Sequence, residues 1–266
     1  WMMMLEIKHL TKIFNKEEGI ENQKIALNNI SLHINDGDFV TIIGGNGSGK
    51  STLMNMISGV FEPDEGEVII DGVNVTKLSE YKRAPFLGRV FQDPNMGTAP
   101  NMSIIENLEI ASRRGKKSTL RWGFRAENEK RFQEILTSLN LGLENRLSQK
   151  VGLLSGGQRQ AVTLVMATLN KPKLLLLDEH TAALDPKTAK KVLDLTEKIV
   201  NNEKITTLMI THNMRDALKY GNRLIMLSDG KIIVDVSGVE KSKLTIEDLL
   251  QKFETSGAEI SDKLLF

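Results

Sequence analysis

Residues 44–51, Gly44-Gly45-Asn46-Gly47-Ser48-Gly49-Lys50-Ser51, match the pattern G-x-x-x-x-G-K-[ST]. Each position has a chemical use. The glycines let backbone N–H groups wrap a polyphosphate without Cβ clashes. Lys50 supplies a point charge for the β- and γ-phosphates, Ser51 offers a hydroxyl to Mg²⁺, and Thr52 carries the binding segment onward. A second stretch, Leu174-Leu175-Leu176-Leu177-Asp178-Glu179, is an apolar run that ends in two acids. A carboxylate at the C-terminal end of a buried parallel strand points into the crevice where ligands bind. Asp178 can hold Mg²⁺, partly through water, and Glu179 can polarise an attacking water. The two stretches together predict phosphoryl transfer.

Such residues need a frame to meet. Phe39-Val40-Thr41-Ile42-Ile43 reads as a short buried strand before the glycines, and Thr52 to Ile57 as a helix after them. Strand, loop and helix form the first unit of a parallel α/β domain, with the helix N-terminus favouring anions. Leu174–Leu177 and Ile205–Ile210 read as further strands buried on both faces. Asp185-Pro186 caps and starts a helix. Leu5–Leu10 and Ile30–Ile34 read as earlier strands, and Ser228-Asp229-Gly230 as a hairpin turn between two more. The middle differs. Ser103 to Glu106 is a capping box, and Phe132, Ile135, Leu136 and Leu139 recur at helical spacing. Thr245 to Asp248 caps a short last helix.

Leu154-Ser155-Gly156-Gly157-Gln158-Arg159-Gln160 lies between the phosphate loop and the acidic strand. Ser-Gly-Gly alone also reads as a helix N-cap. The whole heptapeptide resembles the signature of the ATP-binding-cassette (ABC) ATPases, the motor subunits of ABC transporters, and the resemblance runs over about residues 5–236. It implies an α/β fold: a P-loop NTPase core, an antiparallel β subdomain and an inserted α-helical subdomain at about 95–170, followed by a short helical tail over 237–266.

The resemblance carries further residues over one at a time. Gln92, in Val90-Phe91-Gln92-Asp93-Pro94, falls where the family places a glutamine that senses Mg²⁺ and water. Asp185 matches the D-loop. His212, in Ile210-Thr211-His212-Asn213, matches the switch histidine near the γ-phosphate. Phe14 falls where an aromatic stacks on adenine, though a core Phe after the first strand would read the same. Ser155, Gly156, Gly157 and Gln158 are expected to act in trans, on ATP bound to a second copy in a head-to-tail homodimer. Two positions depart from the pattern. Gly45 stands where many members carry Pro or another side chain. His180 stands after Asp178-Glu179 where Pro is common; beside the water-activating Glu it could alter local pKa or transporter coupling, or be a packing change without chemistry.

Composition narrows the context. The chain has 266 residues, with 35 Lys plus Arg against 34 Asp plus Glu. That near-neutrality opposes a nucleic-acid binder working by bulk charge. Without cysteine there is no disulfide scaffold and no thiolate metal site. No run approaches a membrane span, and the opening residues to Leu5 lack the pattern of a secretory leader. The resemblance implies a setting on the cytoplasmic side of the cell membrane, with the chain held there peripherally by integral permease subunits. The resemblance, through Gly44-Gly45-Asn46-Gly47 and Asp178-Glu179-His180-Thr181-Ala182-Ala183, is to bacterial importers, some linked to amino-acid uptake; it implies import, with a substrate-binding protein as a further partner and amino acids as cargo. The alternative is a soluble ABC ATPase uncoupled from transport, of the cluster-assembly kind. The signature and D-loop oppose a phosphate-loop kinase. One local excess stands out, a basic arm from Arg113 to Arg131 with Trp122 and Phe124 among the charges. It reads as a solvated face, or as a surface for membrane subunits and anionic lipid.

Overall fold

The computed structural model describes residues 3–115 and 126–255. β1 (Met3–Phe14) and β2 (Lys24–Asn35) pair antiparallel, and β3 (Phe39–Gly44) leads through the phosphate loop into α1 (Lys50–Ser58). β4 (Glu65–Ile70) and β5 (Val73–Asn74) complete an antiparallel sheet of order β2-β1-β4-β5. After α2 (Glu80–Arg83) and β6 (Leu87–Val90) come α3 (Ile104–Ser112), α4 (Ala126–Thr137) and α5 (Gly156–Thr168). β7 (Leu174–Asp178), α6 (Pro186–Glu203), β8 (Thr206–Ile210), α7 (Met214–Lys219), β9 (Arg223–Ser228) and β10 (Lys231–Ser237) follow. α8 (Gly238–Lys243) and α9 (Ile246–Thr255) come last. The central sheet has the order β10-β9-β3-β8-β7-β6, parallel from β9 to β6 with β10 as an antiparallel edge.

The apolar run of β7 is explained by its place inside this sheet. Leu174 and Leu176 belong to the core shared with the antiparallel sheet and α1, while Leu175 and Leu177 belong to the core on the opposite face. All four are fully buried. A strand covered on both faces shows no alternation. The helical insertion has its own core, in which Phe132, Leu136 and Leu139 of the α4 region meet Ile104, Leu108 and Val162. Leu249 and Phe253 of α9 pack with Met214, Leu224 and Met226. No helix among the described residues is long and apolar enough to cross a membrane.

The two expected capping boxes form. Ser103 Oγ accepts from Glu106 N, and Glu106 Oε2 accepts from Ser103 N at 2.7 Å. Thr245 and Asp248 do the same for α9. Each cap satisfies first-turn N–H groups that would otherwise lack acceptors. Within the basic arm, Lys116 to Arg125, with Trp122 and Phe124, lies outside the described residues. The flanking arginines are tied to the fold: Arg113 lies 3.9 Å from Glu109, Arg114 donates to Leu87 O, and Arg131 donates to Leu169 O.

Candidate functional site

The phosphate loop joins the C-terminal end of β3 to α1. The first intrahelical bond runs from Leu53 N to Gly49 O, so the N–H groups of Lys50, Ser51 and Thr52 have no acceptor within the helix. Gly49 has φ +103, and a Cβ there would stand 2.5 Å from Ala26 O. Glycine is required both by the backbone conformation and by the closeness of β2. Ser48 Oγ is buried with no hydrogen-bond partner. A buried donor beside a row of free N–H groups suits an anion with several acceptor oxygens. Gly45 is buried in the loop and its carbonyl accepts from Lys50 Nζ at 2.9 Å, next to the Gly44 carbonyl at 2.8 Å. Burial lowers the Lys50 pKa, opposed by the charges of Glu179 and Asp178. Lys50 therefore senses both acids, although they lie far along the chain.

A cavity over the loop is lined by Phe14, Lys24, Ala26 and residues 47–52. Phe14 ends β1, half-buried, with its ring edge-on to Phe61 at 5.4 Å. It is a wall of this cavity and not a residue enclosed by the core. Asn46 is exposed at the loop tip.

The sheet register gathers the other residues. Val90 pairs with Leu177 and Asp178 with Ile210, so Asp178 ends its strand and Gln92, Glu179 and His212 follow neighbouring strand ends. Gln92 is exposed. Burial raises the Asp178 pKa, as does the Glu179 charge, and Arg89 opposes the rise. Glu179 has φ +46, a left-handed conformation costly for a side chain of this size. Its Oε1 lies 2.6 Å from His212 Nε2. A strained carboxylate held by an imidazole beside a phosphate loop is an arrangement for aiming a proton acceptor. Among the described residues no three His, Cys, Asp or Glu side chains form a metal cluster. One carboxylate, one hydroxyl and one amide, from Asp178, Ser51 and Gln92, suit Mg²⁺ that shares its remaining positions with phosphate and water.

Ser155 to Gln158 open α5, and none of them lines the cavity over the loop. Ser155 Oγ accepts from Gln158 N at 3.3 Å, and Gln158 Oε1 accepts from Ser155 N at 3.2 Å. The cap uses a lone pair of the Ser155 hydroxyl and leaves its proton available. A Cβ on Gly157 would come 2.3 Å from Thr188 Cγ2, so glycine lets α5 approach the start of α6. Gly156 faces Leu184 in the same place. Asp185 caps α6 by accepting from Thr188 N, and hydrogen bonding from the Thr188 side chain and then its backbone lowers the Asp185 pKa. Signature and D-loop are thus neighbours. The signature helix is also bonded to the segment holding Gln92, through Gln160 Nε2 to Phe91 O and Arg159 to Asn95.

Of the two readings open for His180, its surroundings favour packing. It is 2% exposed, and its Nε2 lies 3.1 Å from Thr196 Oγ1 on α6. The Thr196 hydroxyl proton already goes to Val192 O, so His180 donates. Burial pushes its pKa down to about 4. It is neutral at pH 7 and supplies no charge to Glu179. A depressed histidine pKa means that the unfolded chain binds the proton more readily between pH 6.5 and about 4, so stability falls with acidification. That group alone is expected to lower unfolding free energy by about 2 kcal/mol between pH 7 and pH 5. Urea melts at the two pH values check this: His180→Leu loses less stability than the parent, and equal losses would refute it. His9 and His33 are exposed on their strands.

Sequence reasoning missed Arg89 and Lys24. Arg89 was signalled by a charge inside the short strand Leu87–Val90, and Lys24 by nothing local, since its approach to Gly47 depends on how β2 lies over the loop.

Residues 27–182 match the ABC transporter family. A tyrosine transport ATP-binding protein of Clostridioides difficile is 49% identical over 94% of this chain and 99% of its own length. A phosphonates import ATP-binding protein of Treponema denticola is 36% identical over 88% of this chain and 89% of its own. A dimeric ATP-binding cassette of Methanocaldococcus jannaschii, solved with ADP and Pi after hydrolysis, superposes with a TM-score of 0.74 at 34% identity, covering 88% of this chain and 98% of that one. With the phosphate loop, the acidic strand end and the signature helix all in place, the chain belongs to the ABC transporter family as an ATP-binding cassette.

Proposed function

We propose that the chain hydrolyses ATP to ADP and phosphate and thereby powers uptake of an amino acid, tyrosine or a close analogue, through separate membrane permease subunits. The tyrosine transport relative, matched over nearly the full length of both chains, carries the substrate reading. The 2.6 Å contact of His212 with Glu179, next to the phosphate loop, supports the hydrolytic one.

In this reading Phe14 stacks on adenine, and the loop N–H groups, Ser48 and Lys50 hold the phosphates. Ser51, Asp178 and Gln92 would hold Mg²⁺, which would neutralise phosphate charge. Glu179 takes a proton from the attacking water, and His212 keeps its carboxylate aimed. Ser155, Gly156, Gly157 and Gln158 act on ATP bound to a second copy, and Asp185 lies beside them at the same dimer interface. A dimeric relative supports that pairing. Dimer closure with ATP and release after hydrolysis would move the permease between inward- and outward-facing states. The same reading puts the chain peripherally on the cytoplasmic side of the membrane, held by the permease, with a substrate-binding protein delivering cargo outside. Relatives that are transport and import ATP-binding proteins support this setting.

Uptake of labelled tyrosine in cells lacking this chain tests the assignment. Wild-type protein restores uptake and Glu179→Gln does not. Uptake that is undiminished without the chain rejects the substrate.

A further inference from the structure

Arg89 lies within β6, between buried neighbours, with its side chain 11% exposed. A guanidinium in such a place needs partners. Its Nε is buried without one among the described residues, and the rest of the group meets three parts of the site. Its two terminal nitrogens donate to Ser58 Oγ at 3.0 Å and Asn55 Oδ1 at 2.8 Å, both in the last turns of α1. One of them also lies 3.6 Å from Asp178 Oδ2 at the end of β7. The guanidinium stacks on Phe91, the residue before Gln92, at 4.6 Å from the ring centre.

We propose that Arg89 is a positioning residue for the metal-binding carboxylate: it holds one oxygen of Asp178 and ties it to the helix that begins at Lys50 and Ser51. The inference rests on the reading that Asp178 holds Mg²⁺. The fork geometry suits the task. A planar guanidinium can serve Asn55, Ser58 and Asp178 at once, which a lysine ammonium on a flexible stem does less well. Among the described residues no hydrogen bond reaches the other Asp178 oxygen, so it is left for the metal. α1 is one continuous helix from Lys50 to Ser58. Fastening its far end to Asp178 sets the distance between the phosphate-holding residues and the carboxylate. The stacking on Phe91 brings the approach to Gln92 under the same constraint. Groups that orient a metal ligand without touching the metal typically change metal affinity by about 10–100-fold when removed.

The test separates metal binding from nucleotide binding. Mn²⁺ affinity is measured by electron paramagnetic resonance at saturating non-hydrolysable ATP analogue, and nucleotide affinity by fluorescence of a labelled ATP in EDTA. Arg89→Met is expected to weaken Mn²⁺ binding about 10–100-fold while leaving metal-free nucleotide affinity as in the parent. Arg89→Lys recovers part of the loss, and Asn55→Ala gives a smaller loss in the same direction. Unchanged Mn²⁺ affinity in Arg89→Met overturns the proposal. So does a loss of metal-free nucleotide binding in step with the metal, which a merely structural residue would give. If Arg89→Met does not fold, Arg89→Lys and Asn55→Ala carry the same readout, and parental Mn²⁺ affinity in both overturns it. Asp178→Asn is the control on the underlying reading: if it binds Mn²⁺ like the parent, the metal assignment itself has failed, independently of Arg89.

Discussion

Glu179→Gln is expected to lower ATP turnover by about 10²–10⁴-fold, the range over which a positioned proton acceptor contributes. The amide cannot accept the proton of an attacking water, yet it keeps nearly the shape of the carboxylate. Lys50, Ser51 and the loop N–H groups are untouched, so ATP binding stays. The substituted side chain has nearly the same shape and can keep the 2.6 Å contact with His212 Nε2. ATP that is bound but not cleaved holds the proposed dimer closed. The variant then elutes as an ATP-dependent dimer in size-exclusion chromatography, while its phosphate release falls to the limit of detection. Turnover at the wild-type rate would remove Glu179 from the reaction.

The second large effect concerns the signature. Within one chain Ser155 lies at the start of α5, whose first residues meet Leu184 and Thr188, and it does not line the cavity over the loop. Its proposed action on a second copy makes Lys50→Ala and Ser155→Arg complementary. Each is expected to be inactive alone, but a mixed dimer pairs an intact Lys50 of one chain with an intact Ser155 of the other. Random mixing of equal amounts in a two-fold dimer leaves about a quarter of all sites whole. If both sites must fire together, hydrolysis recovers less than that, so dimer formation is the cleaner readout. On a Glu179→Gln background, the Ser155→Arg chain alone is expected not to dimerise with ATP. The loss of its N-cap costs about 1 kcal/mol, too little to unfold a domain with several buried cores, and melting curves verify that. Normal ATP-dependent self-association of the Ser155→Arg chain would rule out a role in trans.

Much of this site was legible before any fold was known, because its chemistry is written in contiguous residues. A phosphate loop works through successive backbone N–H groups, so its pattern occupies 44–51 without interruption. A capping box spans a single helical turn, so Ser103 with Glu106 and Thr245 with Asp248 could be paired from spacing. The unbroken apolar run at 174–177 marked a strand covered on both faces, and its two acids a strand end. Ser155 illustrates how one local pattern serves two readings. The helix cap is present, and it leaves the hydroxyl proton free for the role that the resemblance implied.

The tertiary structure decided what depends on sheet register and packing between distant segments. Only the parallel order β3-β8-β7-β6 brings His212 onto Glu179 and sets the strand before Gln92 alongside the strand that ends in Asp178. No spacing along the chain encodes a strand order, because loops of many lengths can join the same strands. His180 shows the limit most clearly. Its position next to Glu179 left an electrostatic and a packing reading open, and the side chain is buried against Thr196 and held neutral. Adjacent residues at a strand end can point into different environments, and burial sets the charge. Arg89 is the reverse case, an ion within a short strand whose partners on α1 and β7 only the fold brings together. The residue types and the reaction they permit were therefore present in the sequence. Which charges survive, and which side chains hold one another in position, followed from how the sheets and helices desolvate and align them.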